Sequence, residues 1–214
     1  MTPEIKISGA GVVVLGDFVP TIFHPSWFSQ KNLLPQQEAD NAKLEVMHPE
    51  ITAFTTDWLD VKIMQNRFSA SCLKDDSLPL LKDLVLGTLH FFSETPVKAL
   101  GINRDYHFQL SSEPEWHAVG DKLTPKGPWK DLLLKPGMHT VKMQGLKEDP
   151  QKGSVNVTVQ PSMKVKPNGV YVQINDHYAF EKDSKIPVAL RVFADNWSSS
   201  LERAAKIASS LVSA

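Results

Sequence analysis

An α+β fold, with antiparallel sheets carrying amphipathic helices on one face, follows from three features of the sequence. Short runs alternate apolar and polar residues between turn signals, as in Trp58–Met64 and Ser154–Gln160. Two other segments, Leu78–Phe92 and Trp197–Val212, instead repeat apolar residues every three or four positions. The strand runs come in blocks that each end in a helix, which describes two pseudo-repeated halves and an α+β arrangement.

The first half opens with a strand over Ile5–Phe18, where Val12-Val13-Val14-Leu15 supplies the β-branched run. Gly9-Ala10-Gly11 interrupts it and predicts a bulge or the close approach of another backbone. These glycines precede the apolar run and Pro20 follows it, whereas a dinucleotide loop needs them between a strand and a helix. A short helix begins at His24-Pro25-Ser26-Trp27-Phe28, and a second helical turn covers Pro35–Asn41 with Pro35 at its first position. Leu44–His48 reads as a short strand. Three strands follow over Glu50–Thr56, Trp58–Met64 and Arg67–Leu73, separated by Thr56-Asp57 and Gln65-Asn66. Phe68, Ala70 and Cys72 share one face, so Cys72 is expected to be a small core residue. Ser77 and Pro79 open the strongest helix, with Leu81, Leu84, Val85, Thr88, Leu89 and Phe92 on its apolar stripe. Pro96 then directs the chain into a strand over Val97–Leu110.

Residues 123–135 read as a connector laid over the sheet, punctuated by Pro125, Gly127, Pro128, Pro136 and Gly137. Strands are then expected at Met138–Leu146, Ser154–Val165 and Gly169–Phe180. Lys147–Gly153 forms a polar hairpin tip between the first two, and Lys166-Pro167-Asn168-Gly169 a tight turn between the last two. Ile186–Phe193 reads as a last strand. Asp195 or Asn196 then caps a terminal helix whose apolar face carries Trp197, Leu201, Ala204, Ala205, Ala208, Leu211 and Val212.

This layout divides the 214 residues into an N-terminal half (1–120), a connector (121–137) and a C-terminal half (138–214), or one continuous domain. The single cysteine forms no internal disulfide, the N-terminus lacks a signal-peptide pattern, and no apolar run is long enough to span a membrane. A cytoplasmic location is expected. Net charge is −1 but uneven: residues 1–120 carry 9 basic and 15 acidic side chains, residues 121–170 carry 9 lysines and 4 acids. Those lysines are spaced singly through loops and strand ends, which suits a solvated or edge-protecting role better than a nucleic-acid surface. With an acidic first half, a near-neutral isoelectric point and no aromatic stacking runs, nucleic-acid binding through lysines of 121–170 ranks third among the expected functions.

Three short stretches carry a family resemblance. They are Arg67-Phe68-Ser69-Ala70-Ser71 before the first long helix, Ala99-Leu100-Gly101-Ile102-Asn103-Arg104 after it, and Val170-Tyr171-Val172-Gln173-Ile174-Asn175-Asp176 ahead of the terminal helix. In that order they resemble a sporadically distributed bacterial family of two-half α+β proteins of unknown function. The resemblance implies the architecture and no particular chemistry. Its members resemble accessory proteins near mobile or defence-related genes, which implies an assembly role.

No common catalytic motif is present. None of the seven histidines lies at a metal-ligand spacing, there is no nucleophile elbow or phosphate loop, and no cofactor is implied. The densest cluster of hydrogen-bonding side chains is Asn103-Arg104-Asp105-Tyr106-His107. In a strand, Asn103, Asp105 and His107 share one face while Arg104, Tyr106 and Phe108 share the other. Asn175-Asp176-His177 is a similar cluster, and Asp176 and His177 are expected to join the first in one composite site. Trp116, His117 and Trp129 are interface candidates. The leading expectation is therefore a non-enzymatic interaction or assembly protein, a subunit or adaptor that contacts a protein partner or a second copy. The alternative is a small-molecule binder or enzyme built on the Asn103/His107 and Asp176/His177 clusters.

Overall fold

The computed structural model describes residues 3–147 and 153–213. Nine strands form one antiparallel sheet: β1 (Glu4–Gly16), β2 (Lys43–His48), β3 (Ile51–Thr55), β4 (Leu59–Met64), β5 (Arg67–Cys72), β6 (Val97–Gln109), β7 (Val141–Leu146), β8 (Ser154–Pro161) and β9 (Gly169–Ala179). Their order is β2-β3-β4-β5-β1-β6-β9-β8-β7. The five helices are α1 (Pro25–Gln30), α2 (Gln36–Asn41), α3 (Leu78–His90), α4 (Glu113–Leu123) and α5 (Ile186–Val212).

The two longest strands lie side by side at the centre. β1 and β6 each have 13 residues and pair from Glu4↔Gln109 to Gly16↔Val97. β1 also pairs with β5, and β6 with β9, so the N-terminal and C-terminal strands form one continuous sheet. Gly9 and Gly11 permit the close approach expected of them. A Cβ on Gly9 would come within 2.9 Å of the Cys72 carbonyl, and one on Gly11 within 3.1 Å of the Ser71 Cβ.

Alternation assigns each strand residue to one of two faces. Val12, Val14, Phe68, Val61, Ile63, Leu100, Ile102, Val172 and Ile174 turn toward α3 and α5 and are buried. Two apolar clusters result. One lies under α3 and the first turns of α5, with Phe23, Phe28 and Phe54; the other gathers Tyr106, Phe108, Val170 and Val172 under Ala204, Ala208 and Val212 of α5. The opposite face is polar, and among the described residues no helix packs on it.

Several elements differ from the sequence reading. Residues 186–193 are the first turns of one 27-residue helix, not a strand. Ile186, Ala189, Val192, Phe193, Asn196, Trp197 and Ser200 are buried at steps of three and four, a period that β-branched content alone does not reveal. Asn196 is no cap; its Nδ2 donates to the Val192 carbonyl at 2.8 Å inside the helix. α4 forms ahead of the expected connector, over residues to which the sequence reading assigns no element. Its signal is Ser112-Glu113-Pro114-Glu115: the Ser112 hydroxyl accepts the Glu115 N–H, the Glu115 carboxylate accepts the Ser111 N–H, and Pro114 sits in the first turn. β8 stops at Pro161, earlier than expected, so the turn at Lys166-Pro167-Asn168 closes a longer loop over residues 162–168. Of the expected Lys147–Gly153 tip, residues 148–152 lie outside the described residues; the Lys147 N–H donates to the Gly153 carbonyl at 2.8 Å.

The basic segment also holds one residue that is not solvated. The Lys147 side chain is 2% exposed, and its ammonium lies 3.1 Å from Asp176 Oδ2 and donates to the Tyr178 hydroxyl. Asp176 Oδ2 also accepts from Arg203 Nη2 at 2.8 Å and from Ser200 Oγ at 2.5 Å. This cluster pins α5 to β9 and to Lys147 at the end of β7. Removing a single member of a buried ion cluster leaves uncompensated charge, which typically costs about 3–5 kcal/mol. Asp176→Ala is therefore expected to lower the urea-unfolding free energy by about that amount, and Ser200→Ala by about 1 kcal/mol. Equal small losses from both would show that the cluster carries no such weight.

Candidate functional site

The face of the sheet opposite the helices is a polar field whose composition follows from the register. One row across it reads Gln160, Tyr171, His107, Ile7. The next reads Thr158, Gln173, Asp105, Gly9, and the third Gln144, Asn156, Asn175, Asn103, Gly11, Ser71, Asp60. In the third row the side-chain amides form a chain of hydrogen bonds that all run one way. Gln144 Nε2 donates to Asn156 Oδ1 at 2.9 Å, Asn156 Nδ2 to Asn175 Oδ1 at 3.3 Å, Asn175 Nδ2 to Asn103 Oδ1 at 2.9 Å, and Asn103 Nδ2 to the Gly11 carbonyl at 3.4 Å. Aligned amides polarise one another, so the row is stiffer than four independent contacts.

The first two rows line a cavity of about 310 Å³. Its floor is formed by Gly9, Asp105 and His107, with Tyr171, Gln173 and Gln160 along one side. Leu73, Met163 and Lys164 reach it from the ends of β5 and β8. The carboxylate of Asp105 is held in place by its neighbours: Oδ1 accepts from Gln173 Nε2 at 3.0 Å and from the Tyr171 hydroxyl. Burial first, and then the bond to the Asp105 carboxylate, raise the Tyr171 phenol above its ordinary range, so it stays protonated and acts as a donor.

His107 is clamped from the other side. The Ser162 hydroxyl accepts the backbone N–H groups of Lys164 (3.2 Å) and Val165 (2.9 Å). Both its lone pairs are thereby engaged, so its own proton goes to His107 Nδ1, 2.7 Å away. The neutral imidazole then carries its hydrogen on Nε2. The ring also packs on Tyr171, with centroids 4.7 Å apart. Burial, reinforced by the positive charge of Lys164 and opposed by Asp105, lowers the His107 pKa below its ordinary 6.5.

The structure brings together only part of the predicted cluster. Asn103, Asp105 and His107 share the open face, and Arg104 lies on the helix side, as the alternation requires. There Arg104 is buried, with Nη2 2.8 Å from Asp75 Oδ1 and Nε donating to the Tyr106 hydroxyl at 3.1 Å. The composite site with Asp176 and His177 does not form. Asp176 faces the helices, in the buried ion cluster. His177 is on the open face but pairs with Gly101, six residues of β6 away from His107; that is about 20 Å at ~3.4 Å per residue. The Trp116 indole donates to the Gly169 carbonyl at 3.0 Å and packs on the second apolar cluster, so it anchors α4. His117 sits on the outer face of α4, 3.5 Å from Glu113. Trp129 is half exposed and shares a second cavity, of about 290 Å³, with Leu133 and residues 136–140. Beside it Leu132 and Leu134 are 74% and 94% exposed, so the connector's apolar residues are not all packed on the sheet.

Tyr171, Gln173, Gln160 and Lys164 complete the cavity, Ser162 holds His107 from behind it, and none of the five is reached by sequence reasoning. Tyr171, Gln173, Asn175 and His177 do alternate along one strand, but only the β6–β9 and β8–β9 registers set the first two against Asp105 and His107. Among the described residues, no group of three or more His, Cys, Asp or Glu side chains is arranged to hold a metal ion, and no helix is long and apolar enough to cross a membrane. No protein-family model matches the chain, and no curated protein matches it.

The clamp on His107 has a consequence for stability. The folded imidazole takes up a proton less readily than the unfolded one, so the unfolded chain binds more protons below pH 6.5. The contribution of His107 to stability is complete above its ordinary pKa of 6.5, is lost as pH falls from there through the lower folded value, and levels off beneath it. Urea unfolding followed between pH 7.5 and about 4.5 is expected to show this dependence, and His107→Gln to remove it. A slope that is unchanged in the variant would assign it to other groups.

Proposed function

We propose that this protein is a non-enzymatic, cytoplasmic binding protein whose open sheet face holds a small polar ligand in the cavity above β1, β6 and β9. The fixed carboxylate of Asp105 carries this reading. Two side chains hold one of its oxygens, while Oδ2 has no hydrogen-bond partner among the described residues and Asp105 lines the cavity. Oriented polar groups at the wall of a cavity near the lower size limit of ligand pockets are the usual features of a binding site.

The neighbouring groups suit binding better than bond-breaking. Ser162 is occupied by two backbone donors, and Tyr171 is kept protonated. Cys72 is buried, and burial pushes its thiol up, away from the reactive thiolate. A mixed set of small polar compounds, screened by amide chemical-shift perturbation, is expected to yield ligands whose shifts centre on Gly9, Asp105, His107 and Tyr171. Asp105→Asn is expected to weaken them about tenfold or more, the loss of a charge-assisted hydrogen bond. Ligands that shift only residues outside this set would remove the proposal.

A second reading, assembly with a protein partner or a second copy, is favoured by a different surface. Among the described residues no strand pairs with the outer edge of β7, and Met143 and Leu146 on it are 67% and 88% exposed. It lacks the register irregularity that interrupts the opposite edge strand at Leu44/Val46. A smooth edge with exposed apolar side chains is suited to accept an added strand. The family resemblance suggests the same accessory role. Light scattering after size exclusion is expected to show association that Met143→Ser/Leu146→Ser or Gln144→Pro reduces. A monomer at all concentrations, with no bound protein after isolation from its own cells, would leave only the ligand reading.

A further inference from the structure

We infer that the ligand of the open-face cavity is a free amino acid held as its zwitterion; this rests on the binding function proposed above. Two of the side chains lining the cavity carry a formal charge, and they are opposite: Asp105 and Lys164. A ligand of one sign would pair with one of them and face the other. An uncharged sugar or nucleoside would use neither charge. A ligand with an ammonium and a carboxylate on the same carbon pairs with both.

His107 connects the two. Both Lys164 and Asp105 act on its imidazole, so it lies within electrostatic reach of the anionic and the cationic side. Its Nδ1 is taken by Ser162, and Nε2–H has no protein acceptor among the described residues. A bound carboxylate would receive this N–H and the Lys164 ammonium, while the bound ammonium would donate to Asp105 Oδ2. The rest of the wall defines the remainder of the ligand. Ile7, Leu73 and Met163 are apolar, and the floor at Gly9 is bare. Together with a volume of about 310 Å³, this suits an apolar side chain of moderate size and excludes a nucleotide, whose phosphates would meet Asp105 without a second cation.

The experiment titrates the intact protein with L-leucine, L-methionine and L-phenylalanine, with N-acetyl-L-leucine and L-leucinamide, and with adenosine and glucose, following backbone amide shifts. Saturable shifts at Gly9, Asp105, His107 and Tyr171 are expected for at least one free amino acid. N-acetylation and amidation of leucine, which each remove one charge, are expected to weaken binding about tenfold or more. Asp105→Asn should reproduce the effect of acetylation, and Lys164→Ala that of amidation. Lys164 is exposed, so its variant tests the site without disturbing the fold, and thermal melts confirm that both variants are folded. Binding of adenosine or glucose without any amino acid would overturn the zwitterion and leave the binding function standing. Equal binding of leucine and leucinamide would likewise overturn it. No response to any probe would overturn both.

Discussion

The pairing of β1 with β6 decides where everything else in this protein can go. Two strands of 13 residues, hydrogen-bonded along almost their full length, form a seam on which each flank is built outward. The β2–β5 meander returns to β1 and the β7–β9 meander returns to β6. Each meander then leads into a helix that crosses to the same side of the sheet, because Val12, Val14, Leu100 and Ile102 make that side of the seam apolar. A shift of β6 by one residue against β1 would turn its faces over, exposing Leu100 and Ile102 and burying Asn103, Asp105 and His107. The polar face and its cavity are thus a consequence of the same register that builds the core.

One-sided coverage explains where the charges sit. On the helix side, Arg104 and Asp176 are buried and each is matched: Arg104 by Asp75 and Tyr106, Asp176 by Lys147, Ser200 and Arg203. These groups secure helices and loops to the sheet at points where the apolar contact is interrupted. On the open face, polar groups are bonded mostly to one another across strands, in the amide row and around Asp105. That face needs no helix to satisfy it, which is why a broad sheet can leave it uncovered.

Local alternation made much of this legible from the sequence. It separates Asn103, Asp105 and His107 from Arg104, Tyr106 and Phe108 without reference to any other strand. It also locates β3, β4, β5, β8 and β9 to within a few residues, and Gly9 and Gly11 announce the close β1–β5 contact. What it does not convey is which strands become neighbours. Tyr171 and Gln173 meet Asp105 only through the β6–β9 register, and Ser162 meets His107 through a loop whose course depends on where β8 stops. Asp176 illustrates the same gap. Its neighbours in sequence, Asn175 and His177, lie on the open face, and proximity in sequence suggests one cluster where the pleat makes two. α5 is a different case: Ile186–Phe193 is rich in residues that favour strands, and only the step of three and four through Trp197 and Ser200 marks it as helix.

The open-face groups differ in how firmly they are held, and that difference is what separates a site from a solvated surface. His48, His117 and His177 stand on strands or helices with few or no side-chain partners. His107 is stacked on Tyr171, bonded to a serine whose lone pairs are already committed, and thereby restricted to one tautomer. Asp105 is held at one oxygen by two donors. Ordering side chains in this way costs conformational entropy. Much of it is offset here by cross-strand hydrogen bonds that exist without a ligand. A ligand entering the cavity would therefore meet groups already in position, with Nε2–H of His107 and Oδ2 of Asp105 left to it. Preorganisation of that kind lowers the cost of binding. It needs no motif contiguous in sequence, since its parts come from β6, β9 and the loop after β8.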